Sequence, residues 1–160
     1  MSVPRRLSSV MPVAREDTKM YKKILVTLDG SELAEQIIPH VRDINNGGGS
    51  EVHLLRVAMA HTLPGMDPVE AQVEIVKEAE DYLRDLEGSL RENGLKVESH
   101  VRYGHPAEEI LDHTEHRKFD LIAMTTHGRS GVRRWLLGSV AEKVVRNSPI
   151  PVLVVRTSLN

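Results

Sequence analysis

The sequence has no cysteine, which excludes disulfides, thiol catalysis and cysteine-based zinc sites outright. No apolar stretch approaches the roughly 20 residues that a membrane-spanning helix needs. No charge of one sign dominates: the formal net charge is −2 and the two signs are interspersed. Nucleic acid or an anionic membrane is therefore not expected as a partner. No Gly-Lys dipeptide occurs, so there is no Walker A loop, and no Gly-x-Gly-x-x-Gly occurs either. The chain is neither a P-loop enzyme nor a standard dinucleotide fold. Residues 1–19 carry Arg5, Arg6, Arg15 and Lys19 but no continuous apolar segment, so no signal peptide is read and the cytoplasm is the expected location.

What is present is a single domain's worth of sequence. At 160 residues, 40% hydrophobic and 28% charged, the chain is long and apolar enough to bury one core. Residues 1–19, with Pro4, Ser8, Ser9 and Pro12, read as a flexible arm. Met20 is a candidate start, and residues 20–157 are expected to form the domain.

Five short runs read as strands, the first of them apolar enough to be buried on both faces. They are Lys23 to Leu28, Glu51 to Val57, Leu95 to Val101, Phe119 to Met124 and Pro151 to Val155. Between them lie helical patterns. Ser31 is placed to cap a helix carrying Leu33, Ala34, Ile37, Ile38, Val41 and Ile44. Val69, Val73, Val76, Ala79, Leu83, Leu86 and Leu90 form one apolar stripe at steps of three and four. Pro106 suits a first helical position ahead of Ile110 and Leu111, and a last helix runs from Ser139 to about Arg146. This βαβαβαβαβ alternation implies a three-layer α/β/α domain with a parallel sheet. Ligands of such sheets sit beyond the strand C-termini, where strand order reverses.

One segment there points to a ligand. Small residues, two glycines and three arginines follow the fourth strand, in Thr125-Thr-His-Gly-Arg-Ser-Gly131 and Arg133-Arg134, and lead to Gly138-Ser139 at a helix start. Free backbone N–H groups and the positive end of the helix dipole make this a candidate anion site. A bland reading stands beside it: Ser139-Val-Ala-Glu142 fits a capping box that needs no ligand. Asp29 is either a ribose, adenine or Mg²⁺ contact or a plain Asp-Gly turn residue. His127 is a loop-shaping residue or a phosphate neighbour, and Trp135, the only tryptophan, is expected to anchor the loop. His113 and His116, three apart beside Asp112, suggest a metal only weakly, because Glu115, Arg117 and Lys118 mark an exposed face and structural sites need three or four convergent ligands.

Taken together, Lys22-Lys-Ile-Leu-Val-Thr-Leu-Asp-Gly-Ser-Glu32, Val52-His-Leu-Leu-Arg-Val57, Gly104-His-Pro-Ala-Glu-Glu-Ile-Leu111 and Thr126-His-Gly-Arg-Ser-Gly131 followed by Leu136-Leu-Gly-Ser-Val-Ala-Glu-Lys-Val-Val145 resemble the universal stress protein family, from Met20 to Arg156. The resemblance implies strand order 3-2-1-4-5 and homodimers paired through the last strand, here Val152, Leu153, Val154 and Val155. It also implies ATP binding, possible with Mg²⁺ at Asp29, through Gly-x-x-Gly, nine residues and Gly-Ser. In this chain Gly128 is the second glycine, Arg129 to Leu137 supply the nine residues, and Thr125 replaces the first glycine. The implied nucleotide residues are Thr27, Leu28, Asp29, Val57, Met124, Thr125, Gly128, Arg129, Gly138, Ser139 and Val140. Asp29 and Val57 fall on the adenosine side, Gly138, Ser139 and Val140 hold phosphates, and Arg129 reaches toward them.

No residue set combines nucleophile, base and orienter, so a regulator is expected, with slow ATP hydrolysis at most. The alternative is a nucleotide-free dimerisation module whose loop is structural. A phosphorelay receiver is disfavoured, because Val101-Arg102-Tyr103 offers no aspartate at the third strand's end.

Overall fold

The computed structural model of the chain describes residues 21–45, 49–59, 65, 67–127 and 137–157. Expectations for the arm at 1–19 and for Gly128, Arg129, Gly131, Arg133, Arg134 and Trp135 lie outside the described residues. The five runs form β1 (Lys23–Leu28), β2 (Glu51–Ala58), β3 (Lys96–Tyr103), β4 (Leu121–Thr125) and β5 (Val152–Val155). They pair in parallel, in the order β3-β2-β1-β4-β5. The order follows from chain direction: β1, β2 and β3 are laid down toward one edge, then the chain crosses back and adds β4 and β5 on the other side of β1. The reversal leaves a crevice beyond the C-termini of β1 and β4.

The sheet is covered on both faces, which is why β1 and β4 read as apolar runs, while β2 carries buried His53 and Arg56 among its apolar residues. Ile24, Val26, Val52, Leu54 and Ala123 pack toward α1 (Glu32–Glu35), α2 (Ile37–Ile44) and α3 (Pro68–Glu92). Leu25, Leu55, Ile122 and Met124 pack toward α4 (Pro106–Arg117) and α5 (Ser139–Asn147) with Phe119. Each such aliphatic side chain stabilises the fold by about 1.5–3 kcal/mol when fully buried.

Several local expectations are corrected. The helix after Ser31 is two helices with a turn at Gln36. Pro39 explains the break, because it has no N–H to offer the Glu35 carbonyl and its ring crowds that oxygen. Ser31 does cap α1, accepting the Ala34 N–H at 3.1 Å. Helix α3 begins at Pro68 with Asp67 as its cap, and of its expected apolar stripe only Ala79, Leu83 and Leu90 are buried: Val69 and Val73 are exposed. Strand β4 begins at Leu121, because Asp120 instead accepts the backbone N–H groups of Lys22 and Lys23 at 2.9 Å each. On α4 the buried face is Ala107, Ile110, His113 and Thr114, so His113 points inward rather than onto the solvated face its charged neighbours suggested.

Candidate functional site at the carboxyl ends of the strands

A cavity of about 330 Å³ opens at the strand-order reversal. Its apolar walls are Leu28 and Ala34 on one side, Leu55 and Val57 from β2, Ile110 from α4, and Met124 with Ala141. Its polar groups are Thr27, Asp29, Thr125, Thr126, His127 and Ser139. Nine of the eleven residues expected at a nucleotide site line this one space: Thr27, Leu28, Asp29, Val57, Met124, Thr125, Gly138, Ser139 and Val140. Gly128 and Arg129 lie outside the described residues. Sequence reasoning missed Leu55, Ile110, Thr126 and Ala141, whose only signal was the two-residue and one-turn periodicity that put them beside residues already named.

Asp29 closes the β1–α1 turn. Its Oδ1 accepts the Ser31 N–H at 3.0 Å and the Ser31 hydroxyl at 2.6 Å. Gly30 occupies φ +83°, and a β-carbon there would lie 2.9 Å from the Arg56 guanidinium carbon. The left-handed φ favours glycine, and any larger residue would also push the Arg56 guanidinium aside. Arg56 is buried, pairs with Glu78 at 2.8 Å and lies 5.1 Å from the Tyr82 ring centre. Tyr82 donates its hydroxyl to Glu35 at 2.9 Å. Burial, then the Glu35 carboxylate, pushes that phenol well above its ordinary pKa. This Arg-Glu-Tyr-Glu assembly supports the turn from behind.

At β4's end, Thr125 is buried. Its hydroxyl donates to the His127 carbonyl at 3.0 Å, which closes a tight turn and leaves the cavity open. The Thr126 carbonyl accepts the Gly138 N–H at 2.8 Å, and a β-carbon on Gly138 would come within 2.8 Å of the same oxygen. Gly138 is therefore small because backbone must meet backbone, and its N–H is already engaged.

The capping box is also corrected. Gly138, not Ser139, is the N-cap of α5, and no side chain caps the helix. Glu142 turns to Arg146 instead, at 2.9 Å. The first intrahelical bond runs from the Glu142 N–H to the Gly138 carbonyl. Among the described residues, the N–H groups of Ser139, Val140 and Ala141 make no hydrogen bond. Three donors thus converge at the positive end of a nine-residue helix, beside a cavity.

A doubly wound parallel sheet with a cleft at its switch point defines a three-layer α/β domain. Residues 20–156 match the Universal stress protein family, and the chain belongs to that family. Universal stress protein MJ0531 of Methanocaldococcus jannaschii is 34% identical over 149 residues, covering 90% of this chain and 87% of its own. A universal stress protein of Methanothermobacter thermautotrophicus is 38% identical over 146 residues, covering 87% and 98%. Among solved structures, MJ0577 superposes with a TM-score of 0.79 at 34% identity, covering 88% of this chain and 99% of that one. UspA from Lactobacillus plantarum gives 0.72 at 26%, covering 85% and 98%.

Proposed function

We propose that the cavity binds an adenine nucleotide, with ATP as the leading candidate, and that the domain acts as a nucleotide-dependent regulator rather than a fast enzyme. The observation that carries this reading is the trio of unengaged N–H groups at Ser139, Val140 and Ala141 beside an apolar cleft large enough for a nucleoside. A base and ribose would lie between Val57, Leu55 and Asp29, and phosphates would meet the α5 N-terminus. Where Mg²⁺ accompanies the nucleotide, Asp29 is the carboxylate in the cavity wall. Two more distant universal stress proteins, 23% and 22% identical, have been solved with cAMP and with dAMP. Their likeness to this chain is one of fold, and they support the reading only in that they place the fold among adenine-nucleotide complexes.

The proposed regulator is a homodimer paired through β5. That strand is the edge of the sheet, its four residues are apolar and half-buried, and one side of its backbone faces no other strand of the sheet. Such an edge is commonly covered by a partner. Trp135 is the chain's only tryptophan and falls in sequence between Thr125 and Gly138, two residues of the cavity wall, so its fluorescence is the reporter of choice. Titration with ATP is expected to give a saturable change, with matching heat by calorimetry. No change and no heat at about 1 mM ATP, a binding energy of only about 4 kcal/mol, would favour the nucleotide-free dimerisation module instead.

A further inference from the structure

On the same face of the sheet, one side-chain layer below the cavity, three histidines come together from three elements. His53 lies two residues before Leu55 on β2, His100 is opposite Leu55 on β3, and His113 is one turn beyond Ile110 on α4. His53 Nδ1 and His100 Nε2 are 2.9 Å apart, with the rings parallel within 7°. Glu98, opposite His53 in the register, brings one carboxylate oxygen to 3.8 Å from His53 Nδ1 and the other to 3.4 Å from His100 Nε2.

We infer that His53 Nδ1, His100 Nε2 and the Glu98 carboxylate form a binding site for a divalent transition-metal ion of the zinc class. One ligand atom from each of the three side chains lies within 4.8 Å of the others. The two nitrogens are 2.9 Å apart and each has a different Glu98 oxygen at 3.4 or 3.8 Å, so a rotation of the carboxylate brings one oxygen toward the roughly 3.3–3.4 Å edge of a tetrahedron whose metal–ligand bonds are about 2.0–2.1 Å. Two imidazoles and a carboxylate are a borderline donor set that suits zinc over calcium or magnesium. The ion would displace the hydrogen now shared between the two head-on rings, and both imidazoles would swing so that their lone pairs meet it at about 2.0–2.1 Å. With Nδ1 of His53 ligating, its ring hydrogen sits on Nε2, and the Glu51 carboxylate lies 3.9 Å from that nitrogen, beyond hydrogen-bond distance.

A second observation points the same way. His113 Nε2 is the one buried side-chain polar atom among the described residues with no hydrogen-bond partner. The His113 ring centre is 4.9 Å from that of His100. A buried nitrogen without a partner is costly, and a water on the metal would be a natural partner for it. Lys23 and Arg117 oppose a cation here. Arg117 lies 3.6 Å from Glu98 and would be displaced, while Glu51 and Glu98 offset both charges. Glu98 is exposed, which gives the ion a way in from solvent.

The test uses the full chain without a histidine tag, titrated with Co²⁺ followed by its visible spectrum and with Zn²⁺ by calorimetry. One equivalent should bind with a dissociation constant near or below about 10 μM, with the intense bands of a four-coordinate cobalt ion. His100→Gln should weaken binding at least about a hundredfold. Glu98→Gln, at an exposed position that leaves the fold intact by circular dichroism, should weaken it about tenfold. Binding weaker than about 1 mM would overturn the assignment, as would binding that both variants leave unchanged, which would put the ion on other histidines.

Discussion

At the C-terminal ends of β1 and β4, the polar groups that face the cavity are hydroxyls, one carboxylate, the His127 imidazole and the main chain of a helix that no side chain caps. One layer lower on the same face, the polar groups are imidazoles and glutamates held between β2, β3 and α4. The upper layer is open, has small residues where backbones meet, and carries donors that no protein group uses. The lower layer is closed by Phe119, whose ring meets His53 edge-on at 5.0 Å and stacks with His113 at 5.6 Å. The same parallel sheet thus offers main-chain donors suited to an anion in one layer and side-chain donors suited to a cation in the next.

The largest effect that would sharpen this contrast is expected from Ser139→Asp. Ser139 is exposed at the first position of α5. A carboxylate there favours the helix dipole yet occupies the space proposed for phosphate. ATP affinity should fall between ten- and a hundredfold, the scale of a lost charge-assisted hydrogen bond. Thermal stability should hold or rise slightly, and adenosine binding should change little. Calorimetry with ATP and with adenosine separates the outcomes; equal losses for both ligands would mean that the phosphates are misplaced.

Next in size is a pair of turns. Gly30, behind the cavity, and Gly94, between α3 and β3, both hold left-handed φ, +83° and +84°. A β-carbon at Gly30 meets the Arg56 guanidinium, whereas Gly94 has nothing within 4 Å. Gly94→Ala should therefore show backbone strain alone, about 1–2 kcal/mol. Gly30→Ala should lose more, about 2 kcal/mol or above, because Arg56 must also leave Glu78. Urea denaturation of both variants checks the order, and equal losses would mean that the Arg56 support is soft.

A smaller, graded effect belongs to the lower layer. Burial is the main reason that the His113 pKa falls to about 4, and His100, Arg117, Arg102 and His53 add to it by charge. Between pH 6.5 and 4 the unfolded chain takes up protons that the folded one resists, so metal-free protein should lose stability as pH falls through that window. His53 and His100, lowered in the same direction, add to the loss. His113→Leu should make the slope of melting temperature against pH shallower; an unchanged slope would mean that His113 is protonated in the fold.

The two layers also differ in how far the sequence revealed them. The upper layer was legible because its parts are local motifs: Asp29-Gly30-Ser31 at a strand end, and Gly138-Ser139 at a helix start. The fold was legible too, because a parallel sheet with both faces covered needs apolar runs such as β1 and β4. The lower layer was not. His53 and His100 are 47 residues apart, and only the β2–β3 register puts Leu55 opposite His100 and Glu98 opposite His53. The one histidine pair that sequence spacing suggested, His113 and His116, is split by the helix: His113 faces the core, while exposed His116 turns its Nδ1 to the Asp112 carbonyl at 2.8 Å. The capping box at Ser139 misled for a related reason. The pattern Ser-x-x-Glu is satisfied in sequence, but Gly138 must approach the Thr126 carbonyl, which moves the cap one residue back.

The most direct test of nucleotide binding at the α5 N-terminus is an amide-resolved NMR titration of the full chain with ATP. The account predicts that the N–H signals of Ser139, Val140 and Ala141 shift together with those of Thr27 to Asp29 and saturate at one nucleotide per protomer, while His53 and His100 stay in place. No shift at those amides at about 1 mM ATP, or shifts confined to another surface, would contradict it.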